Sequence, residues 1–361
     1  MQQVKVVGFD LEGPLSPMDF AYESMGLFRV KVDGKEYSGQ DVFEAVSRWD
    51  DLLTLDKENK VPGHIPDYEP GDTLSWILPH LIYHQIREDD LKKLSDTAGL
   101  VKGAKELIAT LRSEGVKVGI ISTSYEQHAR NIAQRLGVDQ ENVFCTAFPL
   151  GKLQEDLEGK NLSLIPEFEK RVLKECYPIE GKDEKIREIC DQFYLRDLPR
   201  LGINPREMVR VMGGTRKVEG VNSLAEKYGV RLPEMVVIGD SITDINMVRV
   251  VREAGGLAVV WNGNLLILPE GNVGLAGTDM RDLGSLVYEF WKNGLEGARG
   301  FSVSYEHQSF QATKEGAPLG ELLREGKFQW LLGKTAEELG KVAQLHKETR
   351  AIVRKDAAKL G

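Results

Sequence analysis

Cysteine is scarce in this chain: Cys145, Cys176 and Cys190 are the only three among 361 residues. An odd count without metal-ligand spacing excludes a disulfide framework, and the three read as reduced thiols filling space in a cytoplasmic protein. Long apolar runs are missing as well. None approaches the roughly 18 residues that cross a bilayer, so the chain is not expected to be membrane-embedded. The first residues enter a strand pattern without the anatomy of a signal peptide, so export is not expected. Positive charge is in deficit, with a net charge of −9 at pH 7. That argues against nucleic acid as a partner, because such a surface needs a basic stripe. Histidine is sparse too. His80 and His84 lie four apart on an expected helix but lack a Glu or Cys at metal-ligand spacing, so they read as an ordinary helix face. What remains is 41% hydrophobic and 29% charged, the composition of a globular protein with a real core. The length exceeds one ordinary domain and predicts a core with one or two added modules.

Carboxylates close two of the apolar runs. Val4-Lys5-Val6-Val7-Gly8-Phe9 ends on Asp10 and opens the turn Asp10-Leu11-Glu12-Gly13-Pro14. Two carboxylates then stand at the carboxyl end of a strand, where open α/β sheets build their sites. Far downstream, Met235-Val236-Val237-Ile238-Gly239 leads into Asp240-Ser241-Ile242-Thr243-Asp244. The two acidic loops together predict a divalent-metal site made of hard oxygen ligands. A third strand, 116–121, ends in the hydroxyls Ser122, Thr123 and Ser124, and Lys217 precedes a helical stretch, 221–228. A metal, a carboxylate nucleophile, hydroxyl donors and one ammonium are the parts phosphoryl transfer needs, a reaction dominated by charge neutralisation and positioning.

In this order and on strand ends, Asp10 to Pro14, Ser122, Lys217 and Gly239-Asp240 to Asp244 resemble the four motifs of the haloacid dehalogenase superfamily of phosphatases. The likeness is to its phosphoserine phosphatase-like side. The resemblance implies a doubly wound, Rossmann-like parallel sheet in the α/β class, with a helical cap insertion and Mg²⁺ as cofactor. It implies Asp10 as the nucleophile that becomes an aspartyl-phosphate, and Glu12 as general acid and then base. Ser122, with Thr123 beside it, would bind phosphate together with Lys217. Asp10, Glu12, Asp240 and Asp244 would hold the metal. Glu12 departs from the usual Asp by one methylene, which changes its reach. Pro14 stands where the family often has Thr or Val and removes one backbone donor.

The motifs divide the chain into a core (1–16, 100–147 and 206–291), a helical cap (17–99), a second and mostly helical insertion (148–205), and a linker with a helical tail (292–361). Within the cap the pattern predicts a β-like piece over 28–35, a helix over 41–55 and another over 72–83 with Asp72 at its start. Residues 296–317 read as weakly structured. The tail beyond them reads as helical, with Leu322, Leu323, Phe328, Leu331 and Leu332 as a docking stripe and its Lys and Arg residues, Arg350 and Arg354 among them, as a solvated face. A cap that recognises an anion is expected to carry basic anchors, but Ser47-Arg48-Trp49-Asp50-Asp51 is mixed, and Arg48 reads as a surface residue. The expected partner is a small phosphorylated metabolite, with a protein partner on the insertion or tail as a further expectation. Two alternatives stand beside hydrolysis. One is a phosphotransferase or phosphomutase using the same intermediate. The other is a non-catalytic subunit: through Arg48 to Asp51 and Pro70 to Thr73 the chain also resembles an archaeal-type branch whose members include proteins associated with a membrane-bound hydrogenase.

Overall fold

The computed structural model describes residues 4–62, 64–65, 67–306 and 326–355. Six parallel strands make up most of a seven-stranded sheet: β1 (Val6–Phe9), β4 (Lys117–Tyr125), β5 (Val143–Thr146), β6 (Met235–Gly239), β7 (Leu257–Trp261) and β8 (Val273–Ala276). The spatial order β5-β4-β1-β6-β7-β8 places β1 between β4 and β6. Strands covered on both faces read as unbroken apolar runs, and every residue of β1, β6 and β7 is buried. One apolar layer joins Val7, Phe9, Ile120 and Ile238 to the helices Ala104–Ser113 and Glu126–Leu136. The other joins Val6, Ile121 and Val237 to Thr215–Tyr228 and Ile245–Ala254. The fold is α/β and Rossmann-like. The crevice beyond the carboxyl end of β1, where the chain departs to opposite sides of the strand, is where such sheets bind their ligands.

A separate apolar cluster lies over that end. Its first part is a hairpin, β2 (Arg29–Val32) with β3 (Lys35–Ser38), followed by the helix Gly39–Glu58. Its second part is Leu164–Glu175 and Asp183–Gln192 from the later insertion, and Val46, Trp49, Phe168, Ile189 and Tyr194 share one core. Polar bonds tie the two parts. The Trp49 indole N–H donates to Asp191 at 2.8 Å, and Arg48 makes a two-pronged contact with Asp183 at 2.9 and 2.7 Å. His80 and His84 both meet the buried Glu169 carboxylate, at 2.7 and 3.0 Å, and His80 Nε2 bonds the Tyr194 hydroxyl. The glutamate partner absent at close sequence spacing thus comes from the second insertion, and it joins the histidines in a structural network.

Several elements differ from the sequence pattern. The helix expected over 72–83 is two, Thr73–Trp76 and Leu78–Tyr83, broken at Ile77 just ahead of Pro79, which lacks a backbone donor. Asp72 does not cap it; its carboxylate is held by Arg206 and Arg216 at 2.8 and 2.7 Å. Residues expected to be weakly structured continue a helix, Leu283–Glu306, that bends at Gly294. Phe328 lies not on a helix but on β9 (Lys327–Trp330), which pairs antiparallel with β8 and covers the sheet edge. Leu322 and Leu323 lie outside the described residues. Among the described residues no helix is long and apolar enough to cross a membrane.

Candidate active site

The turn after β1 is tight because Gly13 adopts φ +109°, and a Cβ there would sit 2.2 Å from Asp240 Oδ2. Glycine therefore lets the two acidic loops touch. Pro14 fits the same turn, which closes through Gly13 N–H to Ser16 O and Leu15 N–H to Leu11 O. Asp10, Asp240 and Asp244 are all buried, each offering an oxygen within 4.8 Å of the others. The Asp244 carboxylate is fixed by accepting the backbone N–H groups of Asp240 and Ser241 at 3.0 and 3.1 Å.

Lys217 stands in the first turn of Thr215–Tyr228 and is fully buried; its Nζ donates to Asp10 Oδ1 at 2.7 Å and Asp244 Oδ1 at 2.5 Å. Burial alone would push the ammonium down, but the two carboxylates outweigh it and hold it charged. Burial first, then Asp244, pushes the Asp10 carboxyl above the usual carboxylate range, and Lys217 opposes that shift. Glu12 lies on the cavity wall, with Oε1 accepting from the Phe20 N–H at 3.2 Å. Burial and the nearby Asp19 push its carboxyl up to about 8. Glu12 is thus not one of the acidic trio; its carboxylate meets the start of the first cap helix, Phe20–Met25.

The hydroxyls come from an irregularity. In β4, Ile121 pairs with Phe144 while Tyr125 pairs with Thr146, so two extra residues bulge out between them. That bulge carries Ser122, Thr123 and Ser124 to the cavity wall. Ser122 does not cap the next helix, whose first residue is Glu126 with Tyr125 before it; its Oγ accepts from the Ser124 N–H at 3.1 Å. Thr123 Oγ1 is buried with no partner.

The structure also brings in residues the sequence reading set aside. Arg350 and Arg354, on the tail helix Ala336–Arg354, are buried rather than solvated, and each places Nη1 3.3 Å from Asp240 Oδ2. Arg354 Nη2 also stands 3.7 Å from Asp19. Burial pushes the Arg350 guanidinium down to about 10. For Arg354, Asp240, Asp19 and Glu12 overcome the same burial and hold the charge. The signal was present: Val342, His346, Arg350 and Arg354 recur every four residues, one helical face, and all four are buried. The cavity, about 100 Å³, is lined by Asp10, Glu12, Ser122–Ser124 and the two arginines, and on the cap side by Ser47, Asp50 and Asp51. Burial raises Asp50 to about 7 and Asp51 to about 6. Arg48 faces Asp183 instead of the cavity.

The residues fit a hard divalent cation. Asp240 Oδ2 is occupied by the arginines, while its buried Oδ1 has no partner. An unmet carboxylate oxygen beside two more carboxylates is a donor set that Mg²⁺ or Ca²⁺ would complete.

No family model matches the chain. A curated phosphoglycolate phosphatase of Sulfolobus acidocaldarius is 28% identical over 185 residues, spanning 47% of this chain and 78% of the relative. A gene product of Archaeoglobus fulgidus, solved as a structure, superposes with a TM-score of 0.72 at 24% identity over 99% of each chain, a likeness of fold.

Proposed function

We propose that this chain, which belongs to the haloacid dehalogenase superfamily of phosphatases, is a Mg²⁺-dependent hydrolase of a small phosphomonoester and works through an aspartyl-phosphate. The observation that carries the reading is the buried trio Asp10, Asp240 and Asp244 with Lys217 wedged between Asp10 and Asp244, Asp10 itself lining a cavity that Ser122, Thr123 and Ser124 also line. The three carboxylates would hold Mg²⁺, with the Glu12 backbone carbonyl as a further oxygen. When bound, the ion would offset their repulsion and draw charge from the phosphoryl oxygens.

This chain's own side chains then divide the work. Asp10 attacks phosphorus, and the bond to the leaving alcohol oxygen breaks. Glu12, held protonated near neutral pH by its burial, gives its proton to that oxygen. In the second step the Glu12 carboxylate takes a proton from water, the water oxygen bonds to phosphorus, and the bond to Asp10 breaks to release inorganic phosphate. Lys217, Ser122 and Thr123 donate to the phosphoryl oxygens throughout. The cap closes the cavity, which limits the substrate to a small metabolite and restricts bulk water. A panel of phosphomonoesters, assayed with Mg²⁺ and with excess chelator, tests this. Hydrolysis that stops in chelator supports it; turnover unchanged by chelator, or none on any ester, sinks it.

A further inference from the structure

Resting on the phosphate-binding role of Lys217 in the hydrolase reading above, we infer that Glu69 and Asp72 of the cap are positioning residues for that lysine, so that docking of the cap completes the phosphoryl site. Lys217 is the third residue of Thr215–Tyr228. Its Nζ reaches Asp10 and Asp244 at once, at 2.7 and 2.5 Å, so its place depends on where the helix begins. The helix does not fix that beginning by itself. The residue before it is Gly214, which has no side chain to accept from the first backbone N–H groups.

The cap supplies what the helix lacks. The buried Glu69 carboxylate accepts the Thr215 backbone N–H at 2.9 Å with one oxygen and the Thr215 hydroxyl at 2.6 Å with the other. Asp72, also buried, holds the next residue: its Oδ1 accepts from Arg216 Nη1 at 2.7 Å. The two residues ahead of Lys217 are therefore each gripped by a cap carboxylate. Negative charge is also favoured at that end of a helix by the peptide dipoles. Glycine makes room for the grip. A Cβ at Gly213 would sit 1.9 Å from Pro70 O, and one at Gly214 would sit 2.1 Å from Glu69 Oε2. The cap loop is anchored in turn. Lys57 Nζ donates to Glu69 Oε1 at 2.8 Å, Arg206 Nε to Asp72 Oδ2 at 2.8 Å, and the Gly71 N–H to Asp50 Oδ2 at 3.2 Å. Gly71 itself lines the cavity. A slip of about 1 Å at the helix start would stretch both Lys217 contacts out of hydrogen-bond range, and the clip made by Glu69 and Asp72 opposes that slip.

Inorganic phosphate, titrated by calorimetry into the full chain in millimolar Mg²⁺, tests this without turnover. Glu69→Ala is expected to weaken phosphate binding ~2- to 30-fold, the range of a lost helix cap. Glu69→Gln, whose amide oxygen can still accept the Thr215 N–H, is expected to keep most of the wild-type affinity. Thr215→Val, which loses the hydroxyl contact and leaves the cap intact, is the milder variant and shifts the affinity in the same sense. Mg²⁺ affinity, measured without phosphate, is expected to hold in all three, because Asp10, Asp240 and Asp244 lie on other loops. Lys217→Met is expected to weaken phosphate ~10- to 100-fold. Adding Glu69→Ala to it should cost nothing more, since a clip that acts through Lys217 has nothing left to position. Losses that add in the double variant overturn the inference. So do phosphate binding indifferent to Glu69→Ala and Thr215→Val, and a parallel loss of phosphate and Mg²⁺, which would mean a general loosening of the fold. Turnover of an aryl phosphate is read separately. An inert protein in which Glu69 and Lys217 still couple in phosphate binding loses the hydrolase reading and keeps the clip. A wild type that turns over the ester but binds no phosphate overturns the clip alone.

Discussion

Asp10 and Glu12 stand two positions apart on one turn and face different partners. Asp10 meets Lys217, while Glu12 meets the backbone N–H of Phe20. Asp10→Asn is expected to leave the fold intact, because the amide is nearly isosteric, and to lower kcat by roughly three orders of magnitude or more through loss of the attacking oxygen. Retention of about a tenth of wild-type kcat would assign the attack to another residue. Glu12→Gln tests the acid and base work. General acid–base help is typically about 10²- to 10⁴-fold, so kcat for a poor leaving group is expected to fall by that much. With a very good leaving group the first step barely needs a proton, so the phosphorylated Asp10 intermediate should build up and be trapped by rapid quench. A kcat near wild type on a poor leaving group would reduce Glu12 to a turn residue. The positions of Asp10, Lys217, Asp240 and Asp244 were legible because each sits at a strand end or helix start that pattern alone locates. The direction in which Glu12 points was not, because it depends on Phe20, whose amide position is set by the cap.

At the scale of elements, the tail was the least legible part. A four-residue strand such as β9 is too short to show a period, and its identity comes from β8, which supplies the pairing. The tail helix did carry a pattern, but its buried face is polar, with His346, Arg350 and Arg354 below Val342, and an apolar template does not register it. The burial of His346 gives the helix a pH dependence. Burial holds its imidazole neutral, with a pKa lowered to about 3, against about 6.5 in an unfolded chain. Between these values the unfolded state binds more protons, so this contribution to stability is present near neutral pH and is lost as the pH falls. Protonation of Nδ1 would also end its bond from the Gly263 N–H. His346→Gln is expected to melt lower than wild type at pH 7, with the gap narrowing toward pH 4.5. A gap that stays constant across this range would show that His346 does not couple proton uptake to the docking of the helix.

Over the whole molecule, two segments separated in sequence close one lid. The second insertion shares its core with the cap. Contacts such as Trp49 with Asp191 and His80 with Glu169 link positions too distant in the chain for any local period to reveal. Of the stripe expected on the tail, Phe328 and Leu331 pack into the apolar layers on either side of the sheet, while Leu332 stays exposed. The lid also isolates the acidic cluster, and that has a thermodynamic consequence. Asp10, Asp240 and Asp244 are buried together, burial raises the carboxyls of Asp10 and Asp240, and Asp240 Oδ1 is left without a partner. A cation that binds the folded state and not the unfolded chain stabilises the fold by an amount set by its concentration over Kd, about 2.7 kcal/mol at one hundred times Kd. Mg²⁺ is therefore expected to raise the melting temperature by several degrees in a concentration-dependent way, with chelator reversing it. In Asp240→Asn the carboxylate that offers the free oxygen is gone, and the Mg²⁺-dependent increment should shrink or vanish even if the variant itself melts at a different temperature. The readout is equilibrium binding, so it holds for any substrate. A melting temperature that ignores millimolar Mg²⁺, or an increment that survives intact in Asp240→Asn, would remove the metal from this cluster and leave Lys217 and the two tail arginines as its counter-charges among the described residues.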